Sequence, residues 1–331
     1  MKKNLMKNNL FTYATSELSQ DAFICWLMSF AHEEYLSVDP HLTDCARELL
    51  AIMIGSEEAF VITKISRQYK NIDVLLDVSH KYRIIVEDKT FTSQHGGQIK
   101  KYKEELEAES DNYKIICVYY KIMEQAFPEK DVVNITRQDL LELFGKYKEK
   151  TKNHIFQDYY EYLRAIDCQV KRYATDPIEK WTDGNDHAYK GFFSHLIQDG
   201  VIDIRRTYDW SYVANPSGGF RALWWYFLSN DELNGCNLLK EYVEDLYLQI
   251  EDQVIAVKLS GKRERSTQVR WSLFDYIKGK VPGFQKKTFR PGNSMTVGYV
   301  EYNETDYREK IAMMQGMMES IVRREYWFNP E

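Results

Sequence analysis

The alternation of apolar and polar positions predicts an ordered series of elements in the first 120 residues. Apolar residues recur every third or fourth position over residues 16–31, which predicts an amphipathic helix, and residues 42–54 predict a second one. Three apolar runs rich in β-branched residues then predict strands over residues 60–66, 72–78 and 82–89. A polar helix over residues 98–108 and a buried strand over residues 113–120 complete the order αβββαβ, with the second helix placed before the strands.

The remainder of the chain predicts a second mixed unit. Beyond residue 139 the sequence is helical and aromatic as far as about residue 181, and residues 182–187 and 215–219 are typical of loops. Strands are predicted at 220–228, 246–250, 254–259 and 294–302, and helices at 267–278 and 307–324. The predicted fold class is therefore α/β (α+β), with an αβββαβ core in residues 1–170 and a C-terminal α+β domain in residues 171–331.

Composition narrows the class of protein without identifying it. The chain has 331 residues, of which 44% are hydrophobic and 28% are charged, as in ordinary folded domains. No apolar run has membrane-spanning length and the N-terminus lacks a signal-peptide core, so we expect a cytoplasmic protein without membrane contact. The five scattered cysteines favour reduced packing thiols. Because the net charge is −6, any attraction to nucleic acid must come from local patches.

The strands over residues 72–78 and 82–89 are predicted to form a hairpin whose turn centres on His80. In that register Asp77 faces Arg83, and Asp73 faces Glu87. One face of the hairpin then carries Asp73, Leu75, Asp77, Arg83, Ile85, Glu87 and Lys89. The other face is apolar and carries Ile72, Val74, Leu76, Val78, Ile84 and Val86. A slip of one residue would put the two opposed acids on different faces, so this segregation supports the register.

The opposed carboxylates of Asp73 and Glu87 indicate a cation site. Like charges directly opposite each other destabilise a strand pair by about 0.2–1 kcal/mol, and a divalent cation between them removes that cost. Oxygen ligands of this kind favour Mg²⁺, with Mn²⁺ as the expected substitute. Lys89 on the same face would orient or activate a water molecule, or stabilise a phosphorane-like charge. A solvated ion pair at a strand end is the competing interpretation.

Asp73 followed by Glu87-Asp88-Lys89 in this element order resembles the PD-(D/E)XK nuclease superfamily, which has the restriction-endonuclease-like fold. The resemblance covers roughly residues 11–120. It implies a metal-dependent endonuclease that hydrolyses DNA phosphodiester bonds with one or two Mg²⁺ ions, and by analogy a role in restriction or phage defence. It also implies that Asp73 and Glu87 are metal ligands and that Lys89 activates water or stabilises charge.

Three further residues resemble superfamily motifs. Glu17 corresponds to the glutamate of the first helix and would be an auxiliary metal ligand. Gln98 and Tyr102 match the Q-x-x-x-Y signature on the helix after the catalytic strand. Their i, i+4 spacing puts both side chains on one helical face, turned toward the site. The alternatives are a solvated helix surface for Gln98 and Tyr102, and a carboxylate favoured by the helix dipole for Glu17.

The match departs from the superfamily pattern in ways that leave assignments open. Ile72 stands before Asp73 where many members have proline. Asp21 competes with Glu17 for the role of the helix acid, and Asp77 would replace Asp73 if the hairpin had another register.

A basic segment in the second unit predicts contact with nucleic acid. Residues 258–290 contain ten lysines and arginines against two acids, with five aromatic residues interleaved. The predicted phosphate contacts are Lys262, Arg263, Arg265, Arg270, Lys286 and Lys287. Residues 231–252 are acidic, so the alternative is that the two segments pair within the chain, in a homodimer or with a partner protein.

Other catalytic classes lack their motifs. The chain has no histidine spacing of a zinc hydrolase, no phosphate-binding G-x-x-x-x-G-K-[ST] and no G-x-S-x-G. A DNA endonuclease is therefore the preferred prediction. The alternative function is a non-catalytic nucleic-acid-binding or assembly module that keeps the nuclease scaffold. Because nothing structural requires Asp73, Glu87 and Lys89 together, the complete set favours the enzyme.

Overall fold

The structure is a computed structural model that describes residues 8–90, 97–109, 112–181, 186–214, 218–228, 243–261, 263–286 and 292–325. The chain divides into two compact units, Met1–Gln169 and Val170–Glu331, and each contains a five-stranded sheet. Within the described ranges no helix combines the length and the apolar character needed to cross a membrane. Four of the five cysteines are described, and all four are free thiols.

The first unit confirms the predicted αβββαβ order. Its helices are α1 (Glu17–Ser29), α2 (Pro40–Ile54), α3 (Gln98–Glu107), α4 (Arg137–Gly145) and α5 (His154–Val170). Its strands are β1 (Ile62–Tyr69), β2 (Ile72–Val78), β3 (Tyr82–Lys89), β4 (Lys114–Lys121) and β5 (Val133–Thr136). The sheet order is β1-β2-β3-β4-β5. The first three strands form an antiparallel meander, and α3 crosses over to β4, which pairs with β3 in parallel.

Helix α2 shows how the sequence sets the ends of an element. The Asp39 carboxylate accepts hydrogen bonds from the backbone N–H groups of His41 at 3.0 Å and Leu42 at 3.2 Å, and Pro40 occupies the first turn. Gly55 ends the helix with φ +72°, a left-handed conformation that glycine adopts at little cost. The buried stripe of α2 therefore begins and ends at positions fixed by local chemistry.

The hairpin of β2 and β3 has the predicted register. Leu75 pairs with Ile85, and Asp77 pairs with Arg83. The turn residues Ser79 and His80 both have positive φ, 49° and 54°, and with Lys81 they form the three-residue connection between the paired Val78 and Tyr82. Continuing the same register by one step places Asp73 opposite Glu87.

Helix α3 covers the face of the sheet that carries the candidate chemistry. Its apolar side contributes Ile99, Tyr102 and Leu106 to a buried cluster with Leu75 and Ile85. Glu87 and Lys89 lie on the same face of β3 as Ile85, because successive side chains alternate across a strand. The packing of α3 on this face therefore helps to fix the position of the strand end at which the charged residues lie.

In its described residues, the second unit has an antiparallel sheet and three α-helices. Its helices are α6 (His187–Gln198), α7 (Arg263–Lys278) and α8 (Tyr307–Ser320), the last followed by a π-helical turn at Ile321–Glu325. Its strands are β6 (Tyr208–Val213), β7 (Phe220–Leu228), β8 (Asp245–Glu251), β9 (Val254–Ser260) and β10 (Ser294–Glu301), in the sheet order β10-β9-β8-β7-β6. The predicted elements of this unit are present.

Three elements were not predicted. Strand β5 has only four residues, and β6 alternates aromatic and polar residues from Tyr208 to Tyr212. Helix α6 begins at His187, the last residue of a predicted loop whose first four residues lie outside the described ranges. Short or aromatic segments of this kind depend on tertiary packing more than on local propensity.

Two helical glycines allow a matched test of packing in the second unit. In α6 a Cβ on Gly191 would overlap the carbonyl oxygen of Val170 and would lie 2.8 Å from its Cγ1, whereas in α8 a Cβ on Gly316 would meet no atom within 4 Å. Gly191→Ala is expected to lower the free energy of unfolding by about 1–3 kcal/mol through overpacking. Gly316→Ala is expected to raise it by about 0.5–1 kcal/mol, because alanine loses less backbone entropy.

Urea unfolding followed by tryptophan fluorescence measures both effects, since six of the seven tryptophans lie after residue 170. Equal effects of the two substitutions would contradict the close approach of α6 to Val170.

Candidate functional site

Lys89 joins the two acids that the hairpin register places opposite each other. Its Nζ lies 2.7 Å from Oε1 of Glu87 and 3.7 Å from Oδ2 of Asp73. The same Asp73 oxygen accepts a hydrogen bond of 3.0 Å from the backbone N–H of Asp88. The structure therefore brings together the three residues predicted to form the centre of the site, and the ammonium group lies between the two carboxylates.

Burial changes the acid–base properties of these groups. Glu87 is fully buried, and this burial raises its pKa to about 7, although its hydrogen bond to Lys89 acts in the opposite direction. For Lys89, burial disfavours the charged form, but the hydrogen bond and charge of Glu87 and the charge of Asp73 outweigh it and raise the Lys89 pKa. Lys89 is therefore protonated at neutral pH, and Glu87 titrates close to neutral pH.

Two acids of α1 lie beside the strand acids. An oxygen of Glu17 accepts a hydrogen bond of 3.3 Å from the backbone N–H of Thr90. Asp21 is buried, and burial together with the charge of Asp73 raises its pKa to about 6. The Gln68 amide donates to Asp21 at 3.4 Å and to Asp73 at 3.3 Å. The structure thus places both candidate helix acids at the site, and the choice between them stays open.

Asp77, the alternative to Asp73, has a different partner. Its carboxylate accepts a hydrogen bond of 3.0 Å from Nε of Arg83, the residue opposite it in the hairpin. Arg83 also donates to Glu109 at 3.2 Å. Asp77 therefore belongs to an ion-pair network, and the register favours Asp73 as the residue that faces Glu87.

Asp88 belongs to a buried polar chain that sequence reasoning missed. Its side chain points to the opposite face of β3 and accepts a hydrogen bond from the Gln20 amide of α1. The oxygen of that amide accepts a 2.9 Å bond from the Tyr159 hydroxyl, which lies 3.2 Å from the Tyr120 hydroxyl. Burial raises the Asp88 pKa well above its usual range. The available signal was a carboxylate on the otherwise apolar face of the hairpin.

Gln98 and Tyr102 contact each other but not the charged centre. The Gln98 amide donates a 2.7 Å hydrogen bond to the Tyr102 hydroxyl, as their i, i+4 spacing predicts. Tyr102 is buried against the face of the sheet that carries Leu75 and Ile85. Across the described ranges no hydrogen bond or ion pair links either residue to the acids or to Lys89, and the catalytic role predicted for them remains a prediction.

The donor set fits a divalent cation. In the part of the chain that the structure describes, Oε2 of Glu87 and Oδ1 of Asp21 are buried without a hydrogen-bond partner. The charges of Glu87, Asp73 and Glu17 act on the Lys89 ammonium, and Lys121, which is paired with Lys89 on β4, donates a 3.3 Å hydrogen bond to the carbonyl of Thr90. The described residues contain no group of three or more His, Cys, Asp or Glu side chains arranged to hold a metal ion. A bound cation would therefore require these carboxylates to turn toward it.

The basic segment of the second unit differs from its prediction at Arg270. This side chain is fully buried in α7, where Nε donates a 2.6 Å hydrogen bond to the carbonyl of Thr296, so its assignment as a phosphate contact is wrong. Lys286 lies 4.0 Å from the ring centroid of Trp271, which is 38% exposed. Lys262 and Lys287 lie outside the described residues, as do the side chains of Arg263 and Arg265.

The αβββαβ core and the Asp73, Glu87 and Lys89 centre define a restriction-endonuclease-like protein. A family model of the PD-(D/E)XK nuclease superfamily matches residues 2–182, more than half of the chain. The chain belongs to the PD-(D/E)XK nuclease superfamily. Comparison with curated proteins and with solved structures gives no match. The match extends beyond the residues that carried the resemblance and includes α4 and α5.

The raised pKa of Glu87 predicts a pH-dependent stability without metal. In the folded state its pKa is about 7, against 4.5 for an exposed glutamate, so the folded state binds the proton more tightly. The parent protein therefore loses stability as the pH rises from about 4.5 to about 7, whereas Glu87→Gln does not lose this contribution. Relative to the parent, Glu87→Gln is expected to gain up to about 3 kcal/mol across this window.

Urea unfolding followed by circular dichroism in EDTA, from pH 4.5 to 8, measures this difference. Glu104→Gln is the control, because Glu104 is exposed on α3 and should show no such trend. A constant difference between parent and Glu87→Gln across the range would contradict the burial of an ionisable Glu87.

Proposed function

We propose that the protein is a metal-dependent endonuclease that hydrolyses DNA phosphodiester bonds. The observation that carries the proposal is the position of the Lys89 ammonium between Glu87 and Asp73, at the end of β3. An enzyme of this class needs an acid pair that can bind a cation and a positive group beside it. By analogy with the superfamily, we extend the proposal to cleavage of foreign DNA in restriction or phage defence.

Asp73 and Glu87 are the proposed ligands of a Mg²⁺ ion, with Glu17 or Asp21 as an auxiliary ligand. When bound, the cation polarises the phosphate and stabilises negative charge. Mn²⁺ is the expected substitute, because it also accepts oxygen ligands. The nearly neutral pKa of Glu87 means that cation binding must compete with a proton there.

Lys89 is proposed to stabilise charge and to orient the reactants. Its raised pKa keeps the ammonium protonated, so it serves better as a hydrogen-bond donor than as a base. Hydrolysis forms a bond between the water oxygen and phosphorus and breaks one P–O ester bond, while negative charge grows on the phosphate oxygens. The ester oxygen leaves with the electron pair and takes up a proton, and the proton lost by the attacking water passes to solvent. A positive group fixed at 2.7 Å from Glu87 is positioned to neutralise that charge without reorganising.

The exposed pair of Trp271 and Lys286 supports contact with nucleic acid in the second unit. An aromatic face and a neighbouring ammonium can stack on a base and bind a phosphate. We retain Lys286 as a proposed phosphate contact, together with Lys262, Arg263, Arg265 and Lys287, on the basis of the local charge excess.

Plasmid cleavage tests the proposal with a matched set of variants. With Mg²⁺, the parent protein is expected to nick or linearise supercoiled plasmid, and Asp73→Asn and Lys89→Ala are expected to slow cleavage at least about 100-fold. Asp77→Asn is the control, because Asp77 lies on the same face of the same strand but pairs with Arg83. Gel electrophoresis of the products gives the rates. Equal rates in the parent, Asp73→Asn and Lys89→Ala would refute the proposal.

Metal binding separates the role of Lys89 from that of the acids. Lys89→Ala removes the positive charge between the two carboxylates, so Mn²⁺ affinity is expected to rise about threefold or more while cleavage is lost. Asp73→Asn is expected to weaken Mn²⁺ binding by at least about tenfold. Isothermal titration calorimetry measures both affinities. Weaker binding in Lys89→Ala, with its circular dichroism spectrum unchanged, would contradict the arrangement.

The non-catalytic alternative gives a different pattern. A nucleic-acid-binding or assembly module would bind DNA in a salt-sensitive manner without cleaving it in Mg²⁺ or Mn²⁺, and Lys89→Ala would bind DNA as the parent does. The buried and electrostatically costly set of acids around Lys89 favours the enzyme, since a scaffold gains no stability from them.

A further inference from the structure

A cavity of about 350 Å³ lies within the second unit and is here called the aromatic pocket. It is bounded by α6, by the segment between β10 and α8, and by two short 3₁₀ turns at Lys171–Ala174 and Ile178–Lys180. Its volume is in the range of small-molecule sites. The lining is mostly aromatic and includes Tyr173, Trp181, Phe192, His195, Tyr302 and Tyr307.

The inner wall of the aromatic pocket consists of aromatic rings, and the polar atoms of Trp181 and Tyr302 are hydrogen-bonded within the protein. Trp181, Phe192 and Tyr302 are all at most 4% exposed. The indole N–H of Trp181 donates to the carbonyl of Asp176 at 3.0 Å, and the Tyr302 hydroxyl donates to the carbonyl of Asp252 at 2.8 Å. These anchors hold the rings in place, and Phe192 and Tyr302 stack on each other with centroids 6.1 Å apart, so the aromatic wall is preorganised.

The opposite side of the pocket is polar. Nε2 of His195 lies 2.8 Å from the Tyr307 hydroxyl, and Nδ1 lies 3.3 Å from Asp199. Arg308 donates to Asp199 at 3.0 Å, so its charge is already paired. Glu304 also lines the pocket and is exposed. The pocket therefore combines aromatic surface with a hydroxyl, an imidazole and a carboxylate.

This combination favours one class of ligand. An aliphatic chain would leave the Glu304 carboxylate without a partner in the pocket, and a phosphate would meet that carboxylate without an unpaired arginine at the lining. A quaternary ammonium would match the rings and Glu304 but has no N–H group to donate to that carboxylate. A nucleobase offers a planar ring for stacking together with donors and acceptors on its edge.

We propose that the aromatic pocket binds a nucleobase, with guanine preferred. Guanine presents two adjacent donors, N1–H and the exocyclic amino group, and a carboxylate such as Glu304 can accept both. The inference deepens the proposed function and rests on it in one respect, since a nuclease substrate supplies such a base. A free guanine nucleotide carries the same chemistry and is the other source.

Calorimetry with the full chain in EDTA tests the proposal without any cleavage. The probes are GMP, AMP, tetramethylammonium, and two single-stranded oligonucleotides of eight nucleotides, all dT or with one central dG. The pocket is expected to bind GMP or the dG oligonucleotide at least about tenfold more tightly than AMP or the all-dT oligonucleotide. Preference for the oligonucleotide identifies a base of nucleic acid as the ligand, and preference for GMP identifies a free nucleotide.

Two exposed acids of the same segment give matched variants. Glu304→Ala is expected to weaken guanine binding about tenfold or more, whereas Glu301→Ala, on the exposed end of β10, should leave it unchanged. Tyr173→Leu, which removes a ring from the lining, is expected to weaken binding as well. Circular dichroism verifies that each variant is folded.

Three outcomes would overturn the inference. They are no binding of GMP or the dG oligonucleotide, equal affinity of the parent and Glu304→Ala for the bound probe, and binding of tetramethylammonium in preference to guanine. Guanine binding by a protein that cleaves no plasmid would leave the pocket standing and refute the proposed nuclease. Plasmid cleavage without guanine binding would do the reverse.

Discussion

The ion pair between Lys89 and the two acids of the hairpin is the interaction on which the candidate site depends. Glu87 is fully buried, so water does not screen its charge and a partner in the protein must do so. The Lys89 ammonium supplies this partner and at the same time lies against Asp73. Because the antiparallel register alone sets which residue faces Glu87, one backbone constraint decides both the electrostatics and the chemistry of the site.

The two faces of β3 have different roles: one carries the candidate site, and the other anchors the strand to neighbouring helices. Glu87 and Lys89 lie on the face covered by α3, while Asp88 between them points to the other face and binds Gln20 of α1. The chain of hydrogen bonds through Gln20 and Tyr159 ties this strand to α1 and α5. Since α1 also carries the acids at positions 17 and 21, the same contact that holds the strand brings the helix acids to it. In this network Oδ2 of Asp88 is buried without a hydrogen-bond partner among the described residues, in agreement with the raised pKa of this carboxyl group.

In the second unit the charge pattern of the sequence does not show which basic side chains are exposed in the structure. Counting charges along the segment treats every arginine as exposed, yet Arg270 is in the core and binds a backbone carbonyl. The aromatic pocket, by contrast, is assembled from residues 173 to 307, which are far apart in the sequence. Periodicity cannot reveal such a group, because its members come from several elements that only the fold brings together.

The first unit was predicted well from the sequence because its signals are local. The αβββαβ order, the hairpin register and the pairing of Asp73, Glu87 and Lys89 follow from strand alternation and turn length, which involve neighbouring residues. The short β5 and helix α6 were missed because contacts distant in the sequence stabilise them, whereas β6 carries a local strand signal, the alternation of aromatic and polar residues from Tyr208 to Tyr212, that was not used. The sequence pattern did not determine burial, because whether Asp21, Asp88 and Arg270 face water depends on the elements that pack over them. That packing raises the pKa values of Asp21 and Asp88, and it removes Arg270 from the surface.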